Sequence, residues 1–133
     1  MRQIELTTDD LILKTTKRKH RRVRRGQIKY LCFAVYEKGK SDRIGWCGLD
    51  SLRVPGQTAI FYIIDELYRR KGYATQCARK LISYAFEETN LQRVNGGCAK
   101  ENHASRKIME NIGMILVGHE ENGDPLFCIE RRR

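Results

Sequence analysis

Asp65-Glu-Leu-Tyr-Arg-Arg-Lys-Gly-Tyr-Ala74 joins two segments of different periodicity. Before it, residues 58–64 are continuously apolar and predict a central strand covered on both faces. After it, a helix is predicted, and a loop in this position can turn its backbone N–H groups toward one point at the positive end of the helix dipole. Gly72 would let a phosphate lie against the backbone, because it has no Cβ. The junction therefore predicts an anion site, although a solvated, basic helix start fits this pattern equally well.

Two amphipathic helices are predicted after this junction. In residues 74–88 the apolar positions recur at i, i+3, i+4, i+7, i+8 and i+11, which is the spacing of one helix face. A second, shorter stripe follows Asn102, a good N-cap residue, and stops before Gly113, which stands where a C′ glycine belongs. Both helices can therefore bury one apolar face.

Strands account for the other apolar runs. They are predicted at residues 11–13, 30–36, 43–49, 58–64 and 93–98, and as a closing hairpin at residues 115–117 and 126–129. This order is typical of an α+β fold in which helices pack on a mostly antiparallel sheet. The length of 133 residues suits one domain, so residues 1–133 are taken as a single domain.

The positive charge of the chain lies mainly in one segment. The net charge is +10, and residues 14–29, called the basic segment below, contain nine Lys or Arg and no acid. Outside this segment 17 basic residues face 16 acidic ones. A polyanion such as RNA could bind the basic segment, and a solvated loop is the alternative interpretation.

The cysteines and histidines give no metal-ligand pattern. The five cysteines are widely spaced in apolar stretches, which predicts small buried hydrophobes in a reducing compartment. The three histidines are not spaced as ligands either. No apolar run has the length of a membrane span, and the first ten residues lack a signal-peptide core. These features predict a cytoplasmic protein with no metal and no membrane contact.

Two motifs resemble those of the GNAT acyltransferase superfamily, especially its branch of ribosomal-protein N-terminal acetyltransferases. The family pattern [QR]-x-x-G-x-[GA] falls on Arg69, Gly72 and Ala74, and N-x-x-S falls on Asn102 and Ser105. The resemblance covers about residues 44–130. It implies a sheet splayed between the fourth and fifth predicted strands, and an enzyme that moves an acetyl group from acetyl-CoA to a primary amine, either a protein N-terminus or a small amine.

The resemblance also implies where acetyl-CoA binds. The pyrophosphate would contact the backbone amides of about residues 70–75, and the pantetheine arm would lie along residues 62–64. Backbone N–H groups of Ile63 or Ile64 are the implied oxyanion donors. Asn102 would contact the pantetheine arm, although an N-cap role alone is the other interpretation. The implied cofactor-binding residues are Tyr62, Ile63, Ile64, Arg69, Arg70, Lys71, Gly72, Tyr73, Ala74, Thr75, Asn102 and Ser105.

The chain departs from the family pattern in two places. Many members have a tyrosine four residues before the glycine that ends the second helix, where it protonates the departing thiolate, but here the residue is Met109. The family also has two helices between the first strand and residue 30, and the basic segment is too short for both. A GNAT-fold module that binds RNA through this segment, with little or no catalysis, is therefore the alternative function. A homodimer is a further possible assembly.

Overall fold

The computed structural model describes residues 3–16, 21–22 and 28–132, which form one mixed sheet with two helices and a short 3-10 turn. In these ranges the strands are β1 (Glu5–Thr7), β2 (Leu11–Thr15), β3 (Arg21–Arg22), β4 (Ile28–Glu37), β5 (Arg43–Asp50), β6 (Ala59–Ile64), β7 (Arg93–Gly97), β8 (Ile115–His119) and β9 (Pro125–Glu130). The helices are α1 (Tyr73–Glu88) and α2 (His103–Asn111), and the 3-10 turn is Glu66–Tyr68.

The strands of the sheet follow the order β1-β2-β4-β5-β6-β7-β9-β8, and β3 pairs with β4. Every neighbouring pair is antiparallel except β6 and β7, which are parallel. β9 lies between β7 and β8 and pairs with both. The closing hairpin of β8 and β9 therefore joins the sheet through its second strand. The predicted α+β fold with a mostly antiparallel sheet is confirmed.

The sheet opens between β6 and β7. Ala59 and Asn95 form the one residue pair of their ladder, and the Asn95 N–H donates to the Thr58 carbonyl at 2.8 Å. The residues that follow on both strands line a cleft instead of pairing. These strands are the fourth and fifth predicted from the sequence, so the predicted splay is also confirmed.

α1 covers one face of the sheet with the stripe that its spacing predicts. Cys77, Ala78, Leu81 and Ala85 are fully buried, and the sheet contributes fully buried residues such as Phe33 to the same core. Burial of one such large apolar side chain contributes roughly 1.5–3 kcal/mol to folding. This packing fixes the position of the first turn of α1 relative to the end of β6.

One prediction for β6 is wrong, because the strand is not covered on both faces in the described part of the chain. Ile60 and Ile64 are buried at 7% and 6% exposure, whereas Ile63 on the opposite face is 60% exposed. Hydrophobicity alone cannot distinguish a face that packs in the core from one that stays open.

The cysteine prediction holds for four of the five cysteines. Cys32, Cys47, Cys77 and Cys128 are buried, and the hydrogen bond with Cys77, together with burial, raises the pKa of Cys47 well above its usual value. Cys98 is the exception, because it is half-buried and lines the cleft between β6 and β7.

The basic segment is described only in part. Its first residues end β2, and β3 pairs with the beginning of β4, so its described residues lie in strands except Thr16, and none of them is helical. Residues 17–20 and 23–27, and with them most of the predictions for this segment, lie outside the described residues.

α2 begins and ends as the sequence predicts. Asn102 is its N-cap, and at its other end Gly113 has a φ of +98°. The Gly113 N–H donates to the Glu110 carbonyl and the Met114 N–H donates to the Met109 carbonyl, which is the Schellman arrangement. α2 is therefore stopped abruptly, and the chain turns directly into β8.

Candidate active site

The loop between β6 and α1 has an unusual backbone. Arg70 has a φ of +65°, the one positive φ of a non-glycine among the described residues, and Gly72 has a φ of +79°. Left-handed residues at such close spacing turn successive N–H groups to the concave side of a loop, which is a common way to build an anion site. Lys71 lies between them, and residues 69–75 are called the anion loop below.

The first turn of α1 adds further donors to the anion loop. The first recorded i to i−4 hydrogen bond is donated by the Gln76 N–H to the Gly72 carbonyl at 3.1 Å. The amides of Tyr73, Ala74 and Thr75 precede it, and none donates to an acceptor in the described part of the chain. A Cβ built on Gly72 would meet no atom within 4 Å, so the space beside these amides is open.

The charged side chains of the anion loop are partly engaged with the protein. Arg69 Nε donates to the Ile64 carbonyl at 2.9 Å, which ties the loop to the end of β6. Lys71 Nζ lies 4.0 Å from Glu37 Oε2. It also lies 5.6 Å from the ring centroid of Tyr68 and 5.9 Å from that of Tyr73, within the range of a cation–π contact. Arg70 has no such partner among the described residues, so it is the cation of the loop that is most available to a ligand.

Long-range hydrogen bonds that the sequence did not predict hold the start of α1. The Tyr73 hydroxyl donates to Glu37 Oε2 at 2.5 Å, and this hydrogen bond raises the pKa of Tyr73 to about 12. Gln76 donates to Asp10 Oδ2 at 2.8 Å and accepts from the Thr8 hydroxyl. The partners are 36 to 68 residues apart in sequence, and no local pattern links them.

The two predicted oxyanion donors on β6, the N–H groups of Ile63 and Ile64, point to opposite sides of the strand. The Asp65 N–H donates to the Ile44 carbonyl on the β5 side, and the Thr58 carbonyl accepts on the β7 side. Because backbone groups alternate along a strand, the N–H of Ile64 points into the gap beside β7 and that of Ile63 points to β5. Of the two, Ile64 can serve a ligand in the gap, and the Ile63 amide belongs to the sheet.

The cleft between β6 and β7 has a volume of about 440 Å³. Its walls come from both strands, from the first turns of α2 and from the loops before β6 and before β9. Met109 closes the inner end, where it is 1% exposed and would lie 2.9 Å from a Cβ placed on Gly96. As the sequence indicates, this position offers no proton donor.

A group of polar side chains crosses the cleft from β6 to α2. Tyr62 Oη is 2.8 Å from Ser105 Oγ, and Asn102 Oδ1 accepts from the Ser105 N–H at 3.0 Å. The Cys98 thiol lies 3.8 Å from the Asn102 carbonyl. Burial raises the pKa of Tyr62 and of Cys98, so both side chains are neutral at pH 7.

Asn102 uses one end of its side chain in the protein. Its Oδ1 caps α2, as its N-cap role predicts, while its Nδ2 has no recorded partner among the described residues. Since Asn102 lines the cleft, the amide N–H₂ is available to a ligand there. The two interpretations of this residue are thus geometrically compatible.

Most of the predicted cofactor-binding residues form two groups, one in the anion loop and one in the cleft. Residues 69–75 form the anion loop, and Tyr62, Asn102 and Ser105 meet in the cleft. Ile64 lies between the two groups at the open edge of β6. No cluster of His, Cys, Asp or Glu within the described ranges could hold a metal ion. Likewise, neither described helix is long and apolar enough to cross a membrane.

A splayed sheet with an anion loop at the start of the helix after the splayed strand defines an acetyltransferase-type fold. The chain belongs to the GNAT acetyltransferase family, because its residues 5–115 match the family model described as "Acetyltransferase (GNAT) domain".

Known proteins resemble the chain in sequence and in fold. "Putative ribosomal N-acetyltransferase YdaF" of Bacillus subtilis is 40% identical over 81 residues, which are 58% of this chain and 44% of YdaF. The crystal structure of a GNAT-family acetyltransferase from Bacillus anthracis is 26% identical with a TM-score of 0.66, over 74% of this chain and 65% of that one. An acetyltransferase from Agrobacterium tumefaciens matches in fold alone, at 16% identity and a TM-score of 0.77, over 96% of this chain and 95% of its own. The matched stretches span between 35% and 49% of the first curated relatives.

Proposed function

We propose that this chain is an acetyl-CoA-dependent N-acetyltransferase that moves an acetyl group to a primary amine by direct attack in a ternary complex. The observation that carries the proposal is two groups of backbone N–H donors without a backbone acceptor in the described part of the chain. One is Ile64 at the open edge of β6, and the other is residues 70–75 in the anion loop and the first turn of α1. A long molecule with a pyrophosphate in its chain matches these two groups, because helix N-termini and such loops bind phosphate.

Each part of the site then has one task. The amides of residues 70–75 bind the pyrophosphate, and Tyr62, whose backbone groups face the gap beside β7, offers them to the pantetheine arm. Asn102 Nδ2 reaches the same arm from α2. These contacts hold the thioester in the splay, and holding two reactants in line is one of the largest sources of rate enhancement.

The chemical step needs charge stabilisation and proton transfer. The amine nitrogen attacks the thioester carbonyl carbon, and the Ile64 N–H is placed to stabilise the negative charge that develops on the carbonyl oxygen. The surplus proton on the nitrogen passes to water in the cleft. No carboxylate on β6 is available as a base, since the strand reads Ala-Ile-Phe-Tyr-Ile-Ile.

The acceptor is proposed as the amine of a protein N-terminus, with a small amine as the other candidate within this class. The similarity to YdaF, a putative ribosomal N-acetyltransferase, supports the first candidate. The RNA-binding alternative depends on the basic segment, most of which lies outside the described residues, so the described contacts add no support to it.

Calorimetry with acetyl-CoA tests the proposal on two matched glycine variants. Gly72→Glu should weaken binding at least about a hundredfold, or ~2.7 kcal/mol, because a side chain and a like charge would enter the phosphate site. Gly39→Glu is the control, since Gly39 also has a φ of +79° with no atom within 4 Å of a built Cβ, but lies in the β4–β5 turn. Equal affinity of the two variants, or no binding of acetyl-CoA by the unaltered chain, would refute the proposal.

A further inference from the structure

The proposed reaction leaves one proton unassigned. When the C–S bond breaks, the thiolate of CoA needs a proton, and Met109 at the inner end of the cleft cannot supply one. A donor must therefore reach the splay from another element.

Tyr62 is the group that meets this requirement. It lies on β6 in the wall of the cleft, and its hydroxyl reaches across to Ser105 on α2 at 2.8 Å. The side chain is thus held at the opening of the splay by a neutral partner. Within the described part of the chain, the hydroxyl contacts Ser105 and no carboxylate or cation.

The other phenols lie elsewhere. Tyr73 donates to Glu37 beside the anion loop, Tyr84 packs edge-on against Phe33 in the core, and Tyr30 stacks on Phe61. The rings of Tyr36 and Tyr68 contact the ammonium groups of Lys14 and Lys71, and none of these five tyrosines lines the cleft.

The remaining polar groups of the cleft fit the task less well. The Cys98 thiol donates to the Asn102 carbonyl, 3.8 Å away, so its proton is already directed at a protein group. Asp124 accepts from the Lys100 N–H and from Asn122 Nδ2, each at 3.0 Å, so both oxygens of its carboxylate already accept a hydrogen bond. The Ser105 hydroxyl is too weak an acid to donate directly.

We propose that the Tyr62 hydroxyl is the proton donor to the departing thiolate of CoA, an inference that rests on the proposed acetyltransferase function. As the C–N bond forms, the C–S bond breaks with its electron pair on sulfur, and the proton of Tyr62 Oη moves to that sulfur. The tyrosinate regains a proton from water in the cleft. The amine nitrogen releases one proton to water, so the enzyme returns to its starting state.

Protonation of Tyr62 at working pH is consistent with this role. Burial raises its pKa, while the hydrogen bond with Ser105 acts in the opposite direction. The phenol therefore keeps its proton at neutral pH and is a donor in every enzyme molecule.

A binding experiment tests the contact with sulfur without an acceptor. The affinities of CoA and of desulfo-CoA, which lacks the sulfur, are measured by calorimetry for the unaltered chain, for Tyr62→Phe and for Tyr30→Phe. The unaltered chain and Tyr30→Phe should prefer CoA about fivefold, the effect of one hydrogen bond, and Tyr62→Phe should lose this preference. An unchanged preference in Tyr62→Phe would overturn the assignment while the proposed function stands. Failure of the unaltered chain to bind CoA would overturn both.

Kinetics with a short peptide that has a free N-terminal amine provides the second arm. Tyr62→Phe should lower kcat about a hundredfold with the KM for acetyl-CoA little changed, which is the range of a general acid. Ser105→Ala breaks the same hydrogen bond but keeps the phenol, so its kcat should stay at least about tenfold higher than that of Tyr62→Phe. Equal losses in the two variants would mean that the bond only positions the cleft, and the proposal would be wrong.

Discussion

Arg69 and Lys71 flank the proposed phosphate site, yet each is in contact with a protein group, the Ile64 carbonyl and Glu37 respectively. The donors that are free belong to the backbone, at the left-handed Arg70 and Gly72 and in the first turn of α1. The sequence pattern emphasises the charges because they are visible in the letters. In the structure, the conformation of two residues contributes more to the site than these side-chain charges.

The hydrogen bond between Tyr73 and Glu37 should give stability that depends on alkaline pH. The folded pKa of Tyr73, about 12, lies above the usual value of about 10 for an unfolded chain, so the stabilisation is complete below pH 10. As the pH rises from about 10 to 12, the unaltered chain should lose stability relative to Tyr73→Phe. Denaturant unfolding of both proteins at pH 9, 10, 11 and 12 measures this difference, and a constant difference across the series would contradict it.

At the scale of secondary-structure elements, Asn102 at the start of α2 caps the helix and is proposed to bind acetyl-CoA. Substitutions of Asn102 can separate these two roles. Asn102→Ala should lower the unfolding free energy by about 1 kcal/mol, because the N-cap is lost, and should also weaken acetyl-CoA binding. Asn102→Asp keeps a good cap but has no N–H₂ group, so its stability should be retained while its affinity falls. Urea unfolding and calorimetry on both variants test this. Full affinity in Asn102→Asp would leave Asn102 as a cap only.

Elements defined by neighbours in sequence could be predicted. The stripe of α1 and the Gly113 stop of α2 depend on residues within about one or two turns, so the sequence contains the whole signal. The splay was predicted through the resemblance and is confirmed by the single residue pair between β6 and β7.

Contacts between distant elements could not be predicted. Gln76 meets Asp10 across 66 residues, and this pairing exists only because α1 crosses the sheet beside the β1–β2 turn. The same holds for the choice between Ile63 and Ile64, because backbone direction depends on the register with β5. The openness of Ile63 was missed for a related reason, since an apolar run does not show which elements pack against each face.

At the scale of the whole molecule, the anion loop and Thr15 lie at opposite ends of β2. The beginning of β2 is near Gln76 of α1 through Asp10, whereas Thr15 at its other end precedes residues 17–20 of the basic segment, which lie outside the described residues. Five strand residues span about 16 Å. Charges at this distance are largely screened at physiological salt, where the Debye length is about 8 Å. We therefore predict that the basic segment has little influence on the proposed pyrophosphate site.

Neutralising the basic segment tests this separation and the RNA alternative together. Replacing Lys17, Arg18, Lys19, Arg21 and Arg22 with Ser or Gln should leave acetyl-CoA affinity at 150 mM salt within about twofold, because the charges are screened from the anion loop. If the segment binds RNA, the unaltered chain should bind a short single-stranded RNA at low salt, and the variant should lose both this affinity and its steep salt dependence, since fewer counterions are released. No RNA binding by the unaltered chain at low salt would end the RNA hypothesis, because electrostatic attraction is strongest there. A large loss of acetyl-CoA affinity in the variant would instead show that the segment folds over the cofactor site, and the separation argued from β2 would be wrong.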